Sequence, residues 1–278
     1  MLGGKWAAAM VAAGLMILAA SGAQADSTHI AKIQAALDAW LADRSSAEKV
    51  TGVAAYVSFG DTGPAIEAFA GKIGSGPQDA PVRQGTLFQM GSTSKSFTAA
   101  LILKLEAAGK LSIDDALGKW LPQYPAWKDV TIQRLLNMTS GIPNYSETEA
   151  MSRIWINDPT RELSAENLID LVYPAGSGDL PKSKGYHYSN TNYILAGMIA
   201  AKAAGQSYRD LVHHMIIEAF GLHSTFYENG TYPDPVTDRL AHGYFDNPAC
   251  ADYQPKCTQS WNHALMGGDV RGMSTSWA

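Results

Sequence analysis

Ser92 and Lys95 stand three residues apart in Phe88-Gln89-Met90-Gly91-Ser92-Thr93-Ser94-Lys95-Ser96-Phe97-Thr98, and together they have the makings of an activated nucleophile. On a helix, residues i and i+3 share a face, so the lysine would overhang the serine. Beyond Phe97 the chain is strongly apolar through Ala99, Ala100, Leu101, Ile102, Leu103 and Leu105 as far as Gly109. That pattern predicts a helix buried on nearly all sides. Ser92 would open it, where unpaired backbone N–H groups and the helix dipole favour developing negative charge. Burial penalises an ammonium, so a lysine at such a rim is a candidate proton acceptor.

A bare S-x-x-K carries little information, and the chain holds a second copy, Ser46-Ala47-Glu48-Lys49, in what reads as a polar connector. Tyr-x-Asn is also repeated, as Tyr188-Ser189-Asn190 and as Tyr227-Glu228-Asn229 before Gly230. The second of these reads as a turn. The first feeds a long apolar segment, as Ser92 does. Each residue also has a plain structural explanation: Ser92 an N-cap, Lys95 a surface charge, Tyr188 a core phenol, Asn190 a helix cap. His213-His214 and Asp114-Asp115 fit no ligand spacing and read as helix surface and capping pair.

The positioning elements follow from periodicity. Ile30, Ile33, Leu37, Trp40 and Leu41 repeat as on an amphipathic helix over 28–42. Val50–Phe59 alternates as a strand, 60–64 reads as a turn and Ala65–Gly71 as a return strand, which makes a hairpin. A second element begins at Leu111 and breaks at Leu121-Pro122. Short helices are expected over 131–137, 150–157 and 164–172, with a loop over 174–185. A long helix runs from Thr191 or Asn192 to Ala204, stopped by Gly205, and another from Ser207 to Gly221. Prolines 233, 235, 248 and 255 then punctuate irregular chain. This order is α+β, an antiparallel sheet flanked by helices, with residues about 110–225 a mostly helical subdomain.

With 278 residues, 46% of them hydrophobic, the chain can bury a substantial core. Twenty-one basic against 26 acidic residues, with no basic run, argue against a nucleic-acid partner. Lys5, the apolar run Trp6–Ala20 and Ala23-Gln24-Ala25 describe a secretory signal peptide over 1–25, leaving 26–278 as the exported domain with no transmembrane segment. Cys250 and Cys257 are open to one small-loop disulfide or to two thiols, and their spacing lacks the paired ligands of a zinc site. No metal or other cofactor is expected.

Taken together, Gly91-Ser92-Thr93-Ser94-Lys95, Leu135-Leu136-Asn137-Met138-Thr139-Ser140-Gly141-Ile142-Pro143 and Tyr188-Ser189-Asn190-Thr191-Asn192-Tyr193 resemble the serine penicillin-recognising enzymes. The branch they resemble is that of class C β-lactamases and the related secreted D-alanyl-D-alanine carboxypeptidases. The likeness runs from about Val50 to the end of the chain. It implies a β-lactamase/DD-peptidase-like fold with Ser92 as acylated nucleophile and its N–H as half of an oxyanion hole. Lys95 would help remove the serine proton, Tyr188 would shuttle protons, and Asn190 would bind the acyl amide. The third element of that family, Lys- or His-x-Gly after Tyr-x-Asn, has no match. Lys72-Ile73-Gly74 lies before Ser92 and reads as a strand end. The chain is therefore expected to lack the C-terminal strands, to fold poorly alone and to have little activity.

The resemblance implies an exported, periplasmic or secreted serine hydrolase acting on a small amide, peptide or β-lactam, first of all a D-alanyl-D-alanine carboxypeptidase. A class C-like β-lactamase, an esterase or D-amino-acid amidase of the same fold, and an inactive penicillin-binding fragment are the alternatives. The oligomeric state is not readable from the sequence.

Overall fold

The computed structural model describes residues 27–48, 50–60, 64–157, 161–173, 185–228 and 232–243. The signal-peptide reading, the 174–184 loop and both cysteines lie outside them.

Helix α1 (Ser27–Glu48) packs on a two-stranded antiparallel sheet of β1 (Gly52–Ser58) and β2 (Ala65–Gly71), paired in register from Gly52–Gly71 to Ser58–Ala65. α1 is longer than its apolar period predicts and absorbs Ser46, placed above in a connector. Its last turns hold helix-compatible residues and an Arg44–Glu48 pair at i, i+4, the spacing that supports an exposed helix end. Ile33, Leu37 and Leu41 are half-buried toward the hairpin, while Ile30 and Trp40 stay exposed. The Gln34 side chain donates to Phe69 O (3.0 Å) and accepts from Phe69 N (3.4 Å), so α1 satisfies part of the β2 edge.

The chain then runs through Lys72–Met90 toward the helical half. Lys72-Ile73-Gly74 lies just past β2, with a bridge from Lys72 to Pro81. Leu87 makes a parallel bridge with Leu240, its N–H reaching Arg239 O at 2.7 Å while its carbonyl accepts from Ala241 N at 2.8 Å.

A 3-10 turn, Gly91–Ser94, leads into α2 (Lys95–Ala107). Leu101, Ile102 and Leu105 are buried, but Leu103 is half exposed, so α2 is apolar beyond the face it buries. The Leu111–Asp115 segment is a turn in which Asp115 accepts from Ser112 N (3.1 Å), Lys119 and Trp120, leaving α3 (Leu117–Trp120) only four residues. α4 (Ile132–Leu136) is capped by Thr131 and followed by α5 (Glu149–Asn157). α6 (Ala165–Asp170) starts with a Ser164–Asn167 capping box. α7 (Asn190–Ala204) ends on Gly205 in the left-handed region.

After α8 (Tyr208–Val212) the chain winds as a π-helix, His213–Glu218; a short α9 (Asp234–Thr237) follows. His214 is exposed as expected, but His213 is half-buried, with Nε2 2.6 Å from Tyr227 O. One apolar cluster joins α2, α3, α4, α6, α7 and α8 around Trp127, Leu135, Ile169, Leu195 and Ile199. Its middle is α7, in which Ile194, Leu195, Ala196, Ile199 and Ala200 have no exposed surface. The architecture is α+β: a small antiparallel sheet with a helical body. Among the described residues, no helix is long and apolar enough to cross a membrane.

Candidate active site

Ser92 is presented by a turn that needs its glycine. Gly91 has φ +50°, in the region side chains avoid, although a Cβ there would meet nothing within 4 Å. Conformation, not space, demands glycine. The turn is tied by Ser94 Oγ donating to Gly91 O (2.7 Å) and Ser96 Oγ to Thr93 O (2.7 Å). Ser92 itself is exposed and caps nothing: no side-chain cap closes either the turn or α2.

Lys95 is the first residue of α2 and is buried, which removes its reading as a surface charge. Its Nζ donates to Ser92 Oγ at 3.1 Å and to Asn190 Oδ1 at 2.7 Å. It also sits 5.1 Å from the Tyr188 ring centroid and 5.7 Å from that of Tyr193, an electrostatically favourable place for a cation. Tyr188 OH and Ser92 Oγ are 2.6 Å apart. The turn before α2 and the entry to α7 thus bring together the four residues singled out in the sequence. Their sequence separations of 96 and 95 residues for the Ser92–Tyr188 and Lys95–Asn190 pairs are closed by α2 packing on α7.

What sets Tyr188 in place is the segment Met138–Ser146, noted in the sequence as motif and loop but not as an anchor. His187 N donates to Met138 O (2.8 Å), Ser189 Oγ to Pro143 O (3.1 Å), Thr191 Oγ1 to Pro143 O (2.7 Å) and Asn190 N to Asn144 Oδ1 (3.1 Å). Ser140 Oγ donates to the fully buried Asn192 at 2.7 Å. Met138 is held at φ +59°, which costs a non-glycine residue on the order of 1–3 kcal/mol. The surrounding bonds impose it. Asn190 is the first residue of α7 and does not cap it; its Nδ2 donates to Ser146 Oγ at 2.9 Å. Asn144 and Ser146, which hydrogen-bond Asn190, are positions that sequence reasoning missed, and the run of turn-forming residues after Ser140 was the available signal.

The phenols near the site are driven in opposite directions. Burial opposes ionisation of Tyr188, but hydrogen bonds from Lys95 and Ser92 and the Lys95 charge outweigh it and hold this phenol below its ordinary value. Burial, helped by Tyr188 itself, pushes its neighbour Tyr145 up to about 12 and raises Tyr193 as well. Of the three phenols, only Tyr188 is shifted toward its ionised, proton-accepting form. A cavity of about 420 Å³ opens behind the serine turn, lined by Phe88, Phe97, Tyr208, Val212 and Leu240 among others. None of the four site residues lines it. The second Tyr-x-Asn does other work: Glu228 pairs with Arg209 at 2.7 Å and Tyr227 packs on Tyr208 at 5.5 Å.

The Beta-lactamase family model matches residues 37–276. Penicillin-binding protein 4* of Bacillus subtilis (strain 168) is 35% identical over 198 residues, which cover 70% of this chain and 43% of that protein. The chain thus spans less than half the length of that curated relative. Among solved structures, D-amino acid amidase from Ochrobactrum anthropi SV3, complexed with L-phenylalanine amide, aligns with TM-score 0.65 at 27% identity over 88% of this chain and 65% of that one. A class C beta-lactamase in complex with cefoxitin aligns with TM-score 0.61 at 22% identity over 88% and 62%, a likeness of fold. The family match, the serine held at 2.6 Å from a phenol and the lysine beneath them lead to one conclusion: this chain belongs to the Beta-lactamase family of serine hydrolases.

Proposed function

We propose that this protein is an exported serine hydrolase that works through an acyl-enzyme on Ser92, with the terminal D-alanyl-D-alanine of peptidoglycan peptides as its substrate. The observation that carries the reading is the placement of Ser92 Oγ, 2.6 Å from Tyr188 OH and 3.1 Å from Lys95 Nζ.

In this reading Tyr188, as phenolate beside the Lys95 ammonium, takes the Ser92 proton as Oγ attacks the substrate carbonyl. The Ser92 N–H, which meets no carbonyl among the described residues, donates to the oxyanion that forms. As the C–N bond breaks, the proton passes from Tyr188 to the leaving nitrogen. Water then gives its proton to Tyr188 while its oxygen attacks the ester carbonyl, and Ser92 recovers a proton as it departs. The Lys95 amino group, 3.1 Å from Ser92 Oγ and 5.1 Å from the Tyr188 ring centroid, is placed to compensate the phenolate. Asn190 holds Lys95 through Oδ1, and Nδ2, which gives one hydrogen to Ser146, has a second to donate to a substrate amide oxygen.

Export rests on the signal-peptide pattern of residues 1–25. A D-amino-acid amide is the second substrate class, supported by the 27% identity to the D-amino acid amidase. A β-lactamase differs from both chiefly in the speed of deacylation.

The test reads the covalent adduct. The full-length protein is incubated with a penicillin, digested, and the Ser92 peptide followed by mass spectrometry. A long-lived adduct with D-alanine release from a D-Ala-D-Ala peptide supports the peptidase; a transient adduct indicates a β-lactamase. An unmodified Ser92 overturns the acyl-enzyme reading.

A further inference from the structure

Asn190 must present its oxygen, not its NH₂, to Lys95, and a primary amide has no intrinsic preference between the two orientations. The hydrogen bonds around it supply one. Asn144 Oδ1 accepts from two backbone N–H groups, Asn190 N at 3.1 Å and Ser146 N at 3.3 Å, which can only donate. The identity of that oxygen is therefore settled, and Asn144 Nδ2 is left to donate to Glu147 at 2.9 Å. Ser146 Oγ lies 2.9 Å from the same oxygen and spends its single hydrogen on it. Toward Asn190 the hydroxyl can then only accept, as it does from Nδ2 at 2.9 Å. Oδ1 is turned to Lys95 at 2.7 Å.

We propose that Ser146 is a positioning residue that locks the Asn190 amide with its oxygen toward Lys95, and so holds the Lys95 amino group under Ser92 and Tyr188. The polarity of the lock originates in two backbone N–H groups and passes from Asn144 to Ser146 to Asn190. A reversed Asn190 would set NH₂ against the three donors of an ammonium, with no acceptor between them. The proposal rests on the acyl-enzyme reading for its effect on rate, but the geometry it asserts does not.

The test uses Ser146→Ala and Ser146→Thr in the full-length protein, with two readouts. The first is the rate of penicillin adduct formation on Ser92; the second is the ultraviolet titration of the Tyr188 phenol, isolated by subtracting Tyr188→Phe. With Ala, Nδ2 loses its acceptor and the amide is free to turn. Acylation is expected to fall about tenfold, mainly in the rate at saturation, as the weakening of a charge-assisted bond implies. The Tyr188 step should move to higher pH because the nearby cation is less firmly held, and Thr should restore both. Unchanged rate and titration in Ser146→Ala overturn the proposal, and so does equal impairment by Ala and Thr, which would mean packing rather than hydroxyl polarity. If the unsubstituted protein forms no adduct yet the Tyr188 step shifts with Ala and returns with Thr, the lock stands and the hydrolase reading falls.

Discussion

In the helical half, α2 and α7 bury their touching faces in one apolar cluster, and the site lies where the turn before one meets the N-terminus of the other. In the layer of α1, β1 and β2, Ile66, Ala68 and Ala70 are buried, yet Tyr56 is 67% exposed and Phe59 52%. No side chain of that layer touches Ser92, Lys95, Tyr188 or Asn190 among the described contacts. The helical half thus assembles the reacting groups from its own core and one loop, Met138–Ser146. The difference teaches where sensitivity lies: packing defects in the helices should reach the chemistry, and defects in the hairpin should not.

The largest effect expected is chemical. Lys95→Met keeps the volume but removes the cation, and Ser92 acylation should fall on the order of a thousandfold with folding retained, measured by adduct mass and circular dichroism. Leu195→Ala in α7 should cost about 2–5 kcal/mol in urea unfolding and also disturb the Tyr188 titration. Ile66→Ala in β2 should cost about 2 kcal/mol yet leave that titration where it was. If Ile66→Ala moves Tyr188 as far as Leu195→Ala does, the contrast between the two regions fails.

A third expectation concerns pH. Lys95 and Ser92 hold the Tyr188 phenol below its ordinary value, so the ionised, proton-accepting form gains population as pH rises through a midpoint below 10. Acylation should rise over the same interval. Lys95→Met removes the dominant lowering partner, and the Tyr188 step should then move upward. The smallest effect belongs to Tyr56→Thr, an exposed β1 position, whose unfolding free energy should change by no more than about 0.5 kcal/mol.

Much of this organisation was legible in the sequence because it rests on periodicity and punctuation. The hairpin strands, α2, α7 and the Gly205 stop follow from alternation, apolar runs and glycine chemistry. Ser92, Lys95, Tyr188 and Asn190 were singled out through paired motifs; of their duplicates, Ser46 lies within α1 and Tyr227 packs on Tyr208. The extension of α1 through Ser46 was missed because polar residues carry no period, although their helix propensity and the Arg44–Glu48 pair suffice. The exposed Leu103 was missed because an apolar run does not say which faces of a helix are covered. Asn144 and Ser146 were missed for another reason. Their role is set by which atom donates and which accepts across 44 and 46 residues, and such polarity leaves no trace in spacing.

The measurement that tests the account most directly is peptide-mapped penicillin labelling of the full-length protein across pH, alongside Tyr188→Phe. The account predicts a single adduct on the Ser92 peptide, forming faster as Tyr188 ionises and slowed on the order of a hundredfold or more by Tyr188→Phe. An adduct on the Ser46 peptide, or labelling of Ser92 at the same rate in Tyr188→Phe, would contradict it.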